Sequence, residues 1–221
     1  MKLEKITRRS CRPYDDACGT AHALELVGER WALLVARELM LGPRRFSDLR
    51  AALPGLSANV LTQKLAGLED AGVVRKRRLD PPAGVQVYEL TDWGLELEEA
   101  LKVLGRWAAR SPRHDPTLPL SPVSLMLSMR TMYAPTPGLR DMTVAFELGG
   151  EGYFARIEGG VLTTGRGRPD PADLRLASTP AAVAGALYAD TPLPDAAFEV
   201  GDRQAFETFA GLFTLPPKAP R

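Results

Sequence analysis

The residues with chemistry to offer fall into three groups. The first is basic. Arg75, Lys76, Arg77 and Arg78 run without interruption, and Arg44 and Arg45 stand upstream of them. Such cations neutralise phosphates, which supplies most of the salt-dependent affinity for nucleic acid. The second group is made of short amides and hydroxyls: Ser57, Asn59, Thr62 and Gln63, with Lys64 beside them. Side chains of this kind reach base edges in a major groove, while Lys64 suits a phosphate. The third group is Cys11, Cys18 and His22. Cys18 and His22 are spaced i,i+4 and can share a helical face, but the other histidine, His114, is remote, so a chance pair is expected and no metal site. No Gly-x-Ser-x-Gly elbow, phosphate-binding loop with lysine or nucleophile–base pattern is present, so no enzyme and no cofactor is expected. Each polar group taken alone is what any solvated surface carries. Their order along the chain gives them meaning.

That order depends on the elements that carry them. Leu61, Leu65 and Leu68 form an apolar stripe at helical spacing, while Asn59, Thr62, Gln63 and Ala66 take the opposite face. Ser57 is a suitable N-cap and Gly72 a stop. The segment 46–53 reads as a short helix with Asp48 near its positive end, and Pro54-Gly55 as the turn between the two. Upstream, Leu24, Val27, Trp31, Leu34 and Val35 recur at steps of three and four. Gly28 is placed to split this run into two helices, and Gly42-Pro43 to end it. Downstream, 73–79 and 85–91 read as two strands joined at Asp80-Pro81-Pro82-Ala83-Gly84. Thr91 is expected to cap a last helix with Leu97, Leu101, Leu104 and Ala108 in one stripe. A short helix, a tight turn and a second helix with polar outward residues is a helix-turn-helix, and a basic hairpin directly after it is a wing.

The chain has 221 residues, 45% of them hydrophobic and 25% charged, as expected of a soluble folded protein. No apolar run of about 18 residues is present and the N-terminal segment lacks a signal-peptide core, so a cytoplasmic location with reduced cysteines is expected and no membrane partner. The net charge of +1 is uninformative, but its distribution is uneven: residues 1–115 carry 19 Lys+Arg against 16 Asp+Glu, and residues 116–221 carry 9 against 11. Pro112, Pro116, Pro119 and Pro122 mark a boundary. The expected domains are therefore 1–112, a linker 113–119, and 120–221.

The first domain strongly resembles the HxlR-type winged-helix transcription regulators of bacteria. The pieces that carry the likeness are Gly28-Glu29-Arg30-Trp31, Leu41-Gly42-Pro43-Arg44-Arg45-Phe46, Leu53-Pro54-Gly55-Leu56-Ser57, Leu61-Thr62-Gln63-Lys64-Leu65 and Tyr88-Glu89-Leu90-Thr91. They agree in order over about residues 11–110. The resemblance implies a homodimer on double-stranded operator DNA, with Ser57–Ala71 as recognition helix, Arg75–Val87 as wing, and dimerisation through residues near Cys11–Val27 and Leu95–Trp107. Trp93 departs from the family pattern, which more often has a smaller or polar residue before Gly94. Cys18 falls where many members carry a single N-terminal cysteine, which in some senses oxidants, quinones or aldehydes. A helix start lowers a thiol pKa, and Cys11 could serve as a resolving partner. The competing reading is an inert reduced thiol.

The second half reads as a short apolar helix over 120–133, a three-strand meander, a fourth strand, a helix capped by Thr179 with Pro180 first, a fifth strand and a closing helix. This order resembles the sterol-carrier-protein (type two) fold, an α+β domain. The phrases carrying the likeness are residues 152–187 and 201–213. The resemblance implies an apolar cavity for a fatty acid, lipid or other hydrophobic effector, with Met126, Met129, Phe146, Phe154, Leu187, Phe206, Phe209 and Phe213 as its expected lining. Methionines and phenylalanines at helical spacing are more often plain core. The expected protein is thus an α+β, two-domain DNA-binding regulator, a repressor by expectation, with a ligand-sensing second domain. Two alternatives stand beside it: a Cys18 thiol sensor with a structural second domain, and a lipid-binding module with secondary DNA contact.

Overall fold

The computed structural model describes residues 14–220. The first helices are α1 (Gly19–Val27) and α2 (Ala32–Leu39). Gly28 does end α1: a Cβ there would lie 2.4 Å from the Leu24 carbonyl oxygen. Trp31 begins α2 at φ 80°, a left-handed conformation costly for a bulky residue. The break divides the expected stripe. Val27 and Val35 are buried, whereas Leu24 and Leu34 face outward.

Helix α3 (Phe46–Ala52) starts with the Asp48 carboxylate accepting the Arg45 amide at 3.2 Å. Helix α4 (Ala58–Asp70) starts with Ser57 Oγ accepting the Val60 amide. Leu61, Leu65 and Leu68 are all buried, each contributing about 1.5–3 kcal/mol by leaving water. Gly72 at φ 74° turns the chain into the antiparallel pair β1 (Val74–Arg78) and β2 (Gln86–Leu90). Thr91 caps only a short helix, α5 (Asp92–Leu95), through Gly94, and its hydroxyl donates to the Gly72 carbonyl. The longer helix α6 (Leu97–Ala109) follows after a bend, so the expected single last helix is two. Gly94 is required where it stands, because a Cβ would meet the Val73 carbonyl oxygen at 2.1 Å. Trp93 is exposed, so the family departure there leaves the core untouched.

The second region begins at α7 (Pro122–Met132), capped by Ser121. A five-stranded sheet follows, in the order β5-β4-β3-β6-β7. Its strands are β3 (Met142–Leu148), β4 (Glu151–Glu158), β5 (Val161–Arg166), β6 (Leu174–Ser178) and β7 (Phe198–Val200). The first three form the antiparallel meander, and β6 returns parallel to β3. Helix α8 (Pro180–Tyr188) has the Thr179 cap, and α9 (Arg203–Ala210) closes the chain over the sheet. The class is mixed α+β.

The buried residues of both regions join in one cluster. Helix α7 packs against α6 and α2. Polar groups cross the same junction. Arg130 pairs with Glu98 at 2.7 Å, Ser121 Oγ donates to the Glu38 carboxylate at 2.7 Å, and Lys218 Nζ donates to the Ala109 carbonyl at 3.0 Å.

Candidate nucleic-acid interface

The outward face of α4 carries Asn59, Thr62 and Gln63, all exposed, on the side opposite its buried leucines. Thr62 hydrogen-bonds its own helix, donating to the Ala58 carbonyl at 2.9 Å, so it presents a methyl and an oxygen lone pair outward. Ser57 is occupied as the N-cap. Lys64 lies on the flank of the helix and is ion-paired to Glu29. That partner, in the loop after α1, is not visible from the helix pattern alone.

The wing separates its four cations by strand alternation. Arg75 and Arg77 lie on one side and share Glu89, at 2.7 and 3.0 Å. Burial pushes the Glu89 carboxyl pKa upward, but its two arginine partners outweigh this and hold it below the ordinary range. Lys76 faces the other way, 5.6 Å from the centre of the Tyr88 ring. Arg78 Nε donates to the Gly84 carbonyl at 2.9 Å, bracing the hairpin turn. All four remain exposed, so their guanidinium and ammonium groups are available to an anionic surface.

Arg44 is elsewhere, and this corrects the expectation that it faces DNA. Its backbone pairs with Tyr88 in both directions, at 2.9 and 2.8 Å, a one-residue bridge beside the two-stranded wing. Its side chain, 13% exposed, points into the second region. There it makes a two-pronged contact with Glu151, 2.7 Å on each prong, and donates to the Tyr153 hydroxyl at 2.8 Å. The paired Arg44 pulls the Glu151 carboxyl pKa down to about 2, against burial. Arg166 from β5 joins this cluster, donating to the Pro43 carbonyl at 3.2 Å. The physical reason is that a planar guanidinium inside a domain junction is best satisfied by a two-pronged carboxylate. Its neighbour Arg45 is exposed at the start of α3.

Cys18 is exposed and free at the start of α1. Its thiol pKa is held below the ordinary value by the adjacent Ala21 amide, then by the Thr20 amide and hydroxyl. His22 hydrogen-bonds Glu25 at 3.2 Å. No cluster of three metal-binding side chains occurs among the described residues, and Cys11 lies outside them.

The expected pocket lining is corrected too. Met126, Met129, Phe146, Leu187, Phe206, Phe209 and Phe213 are buried core residues, and Phe154 is half-buried beneath Arg156. The rings of Phe146, Phe206 and Phe213 pack on Phe209 at 6.2, 6.3 and 4.8 Å between centres. Close aromatic packing fills this interior rather than lining a space. A cavity of about 730 Å³ opens instead at the junction of the two regions, and none of the eight residues lines it. Its walls come from α2, α6, α7, α8 and the connection 110–121.

A short helix, a turn, a second helix with outward amides, and a basic hairpin define a winged helix-turn-helix. The comparisons with known proteins agree. The HxlR-like helix-turn-helix family model matches residues 26–115. The HTH-type transcriptional regulator YvaP of Bacillus subtilis is 41% identical over 87 residues, which cover 39% of this chain and 80% of YvaP. YodB of the same organism is 31% identical over 86 residues, covering 39% of this chain and 77% of YodB. The solved reduced form of YodB is 28% identical, covers 45% of this chain and 100% of that one, and superposes with a TM-score of 0.41. The chain belongs to the HxlR family of DNA-binding transcriptional regulators.

Proposed function

We propose that the protein is a cytoplasmic, homodimeric repressor whose second domain, from about residue 120, responds to an apolar small molecule. The observation that carries the DNA reading is the exposed Asn59–Gln63 face of α4 beside four exposed wing cations. In this reading Asn59, Thr62 and Gln63 meet base edges, and Arg45, Arg75, Lys76, Arg77 and Arg78 meet phosphates. Ser57 serves as a cap, and Lys64 reaches a phosphate only by leaving Glu29. The dimer reading is supported by large apolar side chains left exposed among the described residues: Trp107 is 71% exposed, Val103 69% and Leu24 49%. These lie on α6 and α1. Two-fold pairing through them would present two α4 helices to a palindromic site.

The second domain supports the sensor reading by its architecture. Its helix, meander, parallel return strand, helix, strand and helix are compatible with the sterol-carrier-like resemblance of the sequence, and Arg44 and Glu151 tie it to the wing. A ligand that favours one arrangement of this junction would shift DNA affinity by its differential binding. A mobility-shift assay on DNA upstream of the gene, across a salt series, tests the whole. A steep salt slope is expected, and it should fall by about one for each phosphate-binding cation removed in Arg77→Ala/Arg78→Ala. No shift at low salt with any upstream fragment would sink the regulator.

A second reading is favoured by Cys18, an exposed thiol of lowered pKa. YodB, the 31% identical relative, has also been solved with quinone bound. Here Cys18 is the sensor and the second domain is structural. Diamide should then change DNA affinity in the native chain and leave Cys18→Ser unmoved. An equal response in both proteins rejects the thiol.

A further inference from the structure

The junction cavity has a chemical gradient. Its inner wall is apolar and buried, with Leu127, Met132, Ala109 and Ala184. One polar pair interrupts this wall: Tyr188 and Ser128, whose hydroxyls lie 2.9 Å apart. Ser128 also donates to the Leu125 carbonyl at 2.8 Å, so the tyrosine hydroxyl is the donor of the pair. Burial raises the Tyr188 pKa to about 12, so the phenol stays protonated and neutral. Ser124, Ser128 and Thr131 place three hydroxyl side chains along the cavity face of α7, while its Arg130 pairs with Glu98 and does not line the cavity.

The outer rim is charged. Arg113 is exposed, with no acidic partner among the described residues, and Lys102 makes only a surface pair with Glu99. Arg37 also reaches the cavity, but it is neutralised by Glu38 at 2.8 Å. The single acid on the rim, Asp115, is engaged by the Thr117 amide and hydroxyl. The volume of about 730 Å³ falls in the range of sites that enclose a small organic ligand.

We propose that this cavity between the two domains is the effector site, and that it takes an amphiphilic organic monoanion: an aliphatic body against α7 and α8, with its carboxylate at Arg113 and Lys102. The inference rests on the sensor reading above and adds to it a place and a charge. The place differs from the interior of the second domain, which phenylalanine rings fill. The charge follows from an unpaired guanidinium at the mouth of an apolar cleft, where a carboxylate gains a two-pronged partner.

A second copy of the chain is a weaker occupant on geometric grounds. At about 100° per residue, Leu101, Gly105 and Ala108 share the cavity face of α6, while Val103 and Trp107 lie on roughly the opposite face. Ligand and partner can therefore bind the same helix at once. A ligand that shifts α6 then shifts the dimer face with it, and α6 becomes the mechanical link between effector and operator spacing.

Titration calorimetry on the full chain with laurate, 1-dodecanol and dodecyltrimethylammonium tests the proposal. One laurate per chain is expected, with the alcohol and the cation each at least about ten-fold weaker. Shortening the acid should weaken binding by up to about four-fold per methylene removed. Gly105→Leu is the blocking variant. A Cβ at Gly105 meets nothing within 4 Å, and glycine inside a helix is already unfavourable, so the variant should fold. It should lose laurate at least ten-fold while its thermal unfolding temperature holds or rises. Arg113→Glu should lower laurate affinity about ten-fold and spare dodecanol. Equal binding of laurate to Gly105→Leu and the native chain would move the ligand elsewhere and overturn the site, while leaving an apolar sensor intact. Dodecanol binding as tightly as laurate would overturn the charge assignment. A native dimer that becomes monomeric in Gly105→Leu would make the cleft a contact between copies. If neither laurate nor dodecanol binds the native chain or changes its DNA affinity, the site and the sensor reading fall together.

Discussion

The winged helix and the second domain spend their side chains in opposite directions. In the first, the informative residues point outward: Asn59, Gln63, Arg45 and the wing cations are exposed on a scaffold fixed by a few buried leucines. In the second, the large side chains point inward, and Phe146, Tyr153 and Phe209 are almost wholly buried. A reader of duplex DNA must present polar groups to a large, charged, convex partner. On the sensor reading proposed above, the second domain must act as a rigid body, because close-packed interiors transmit strain rather than absorb it. Control is therefore to be sought at the seam between the two, where Arg44 ties the wing strand to Glu151 and where the cavity opens.

The inward-facing half of this contrast is the most sensitive to change. Phe209→Ala should cost about 3–5 kcal/mol of stability in urea unfolding, because the ring touches three others and the hole cannot close. A cost below about 1 kcal/mol would mean that this interior is loosely packed. The outward counterpart is Gln63→Ala. It should change stability by less than about 0.5 kcal/mol while costing about 1–3 kcal/mol of discrimination between the operator and scrambled DNA in a competition shift assay.

Two arginines draw the same line more finely, since both belong to basic clusters and only one faces solvent. Arg44→Ala should cost about 1–2 kcal/mol of stability, less than the loss of a fully buried pair because Glu151 stays half-exposed, and should leave the salt slope of DNA binding unchanged. Arg78→Ala should do the reverse, lowering the slope by about one while costing no more than about 0.5 kcal/mol of stability through its exposed bond to Gly84. A salt slope that falls in Arg44→Ala would return that residue to the DNA surface.

The same clamp carries a pH dependence. Glu151 has its folded pKa depressed to about 2 from the ordinary 4.5. Its pairing therefore stabilises the fold above about pH 4.5, and the contribution fades as pH falls from there toward 2. Glu151→Gln should remove this acid-sensitive part, so the two proteins differ near neutral pH and converge in strong acid. Parallel stability curves would show that the clamp carries no linkage.

Much of the first region was legible because its signals are local. A serine cap, a leucine stripe, a glycine stop and alternating strands each depend on neighbours within a few residues, and the helix-turn-helix follows from their order. The succession of strands along residues 142–200 was legible for the same reason, since glycine pairs at 149–150 and 159–160 punctuate the meander, but the parallel pairing of β6 with β3 was not. What the pattern missed are long-range partners. Nothing near Arg44 in the chain announces Glu151, nor does anything near Lys64 announce Glu29. The phenylalanines expected to line a pocket carried the same periodicity as a filled core, and periodicity reports which face is buried, not whether the space behind it is occupied. One clue to the junction cavity was present in the chain, the hydroxyls at 124, 128 and 131 along one face of a largely apolar helix.

The order of amino acids was enough for the winged helix, its outward amides, its basic hairpin and the class of regulator, because capping, helical period and strand alternation act over short stretches of chain. Which cations are free was settled only when the chain folded. Arg44 and Arg45 are chemically identical neighbours, yet one is largely enclosed against a carboxylate and the other faces solvent. Folding also set where empty space lies, since a cavity is what remains when two domains meet with complementary but incomplete surfaces. Burial, pairing and voids are properties of distant residues brought together, and no local pattern encodes them.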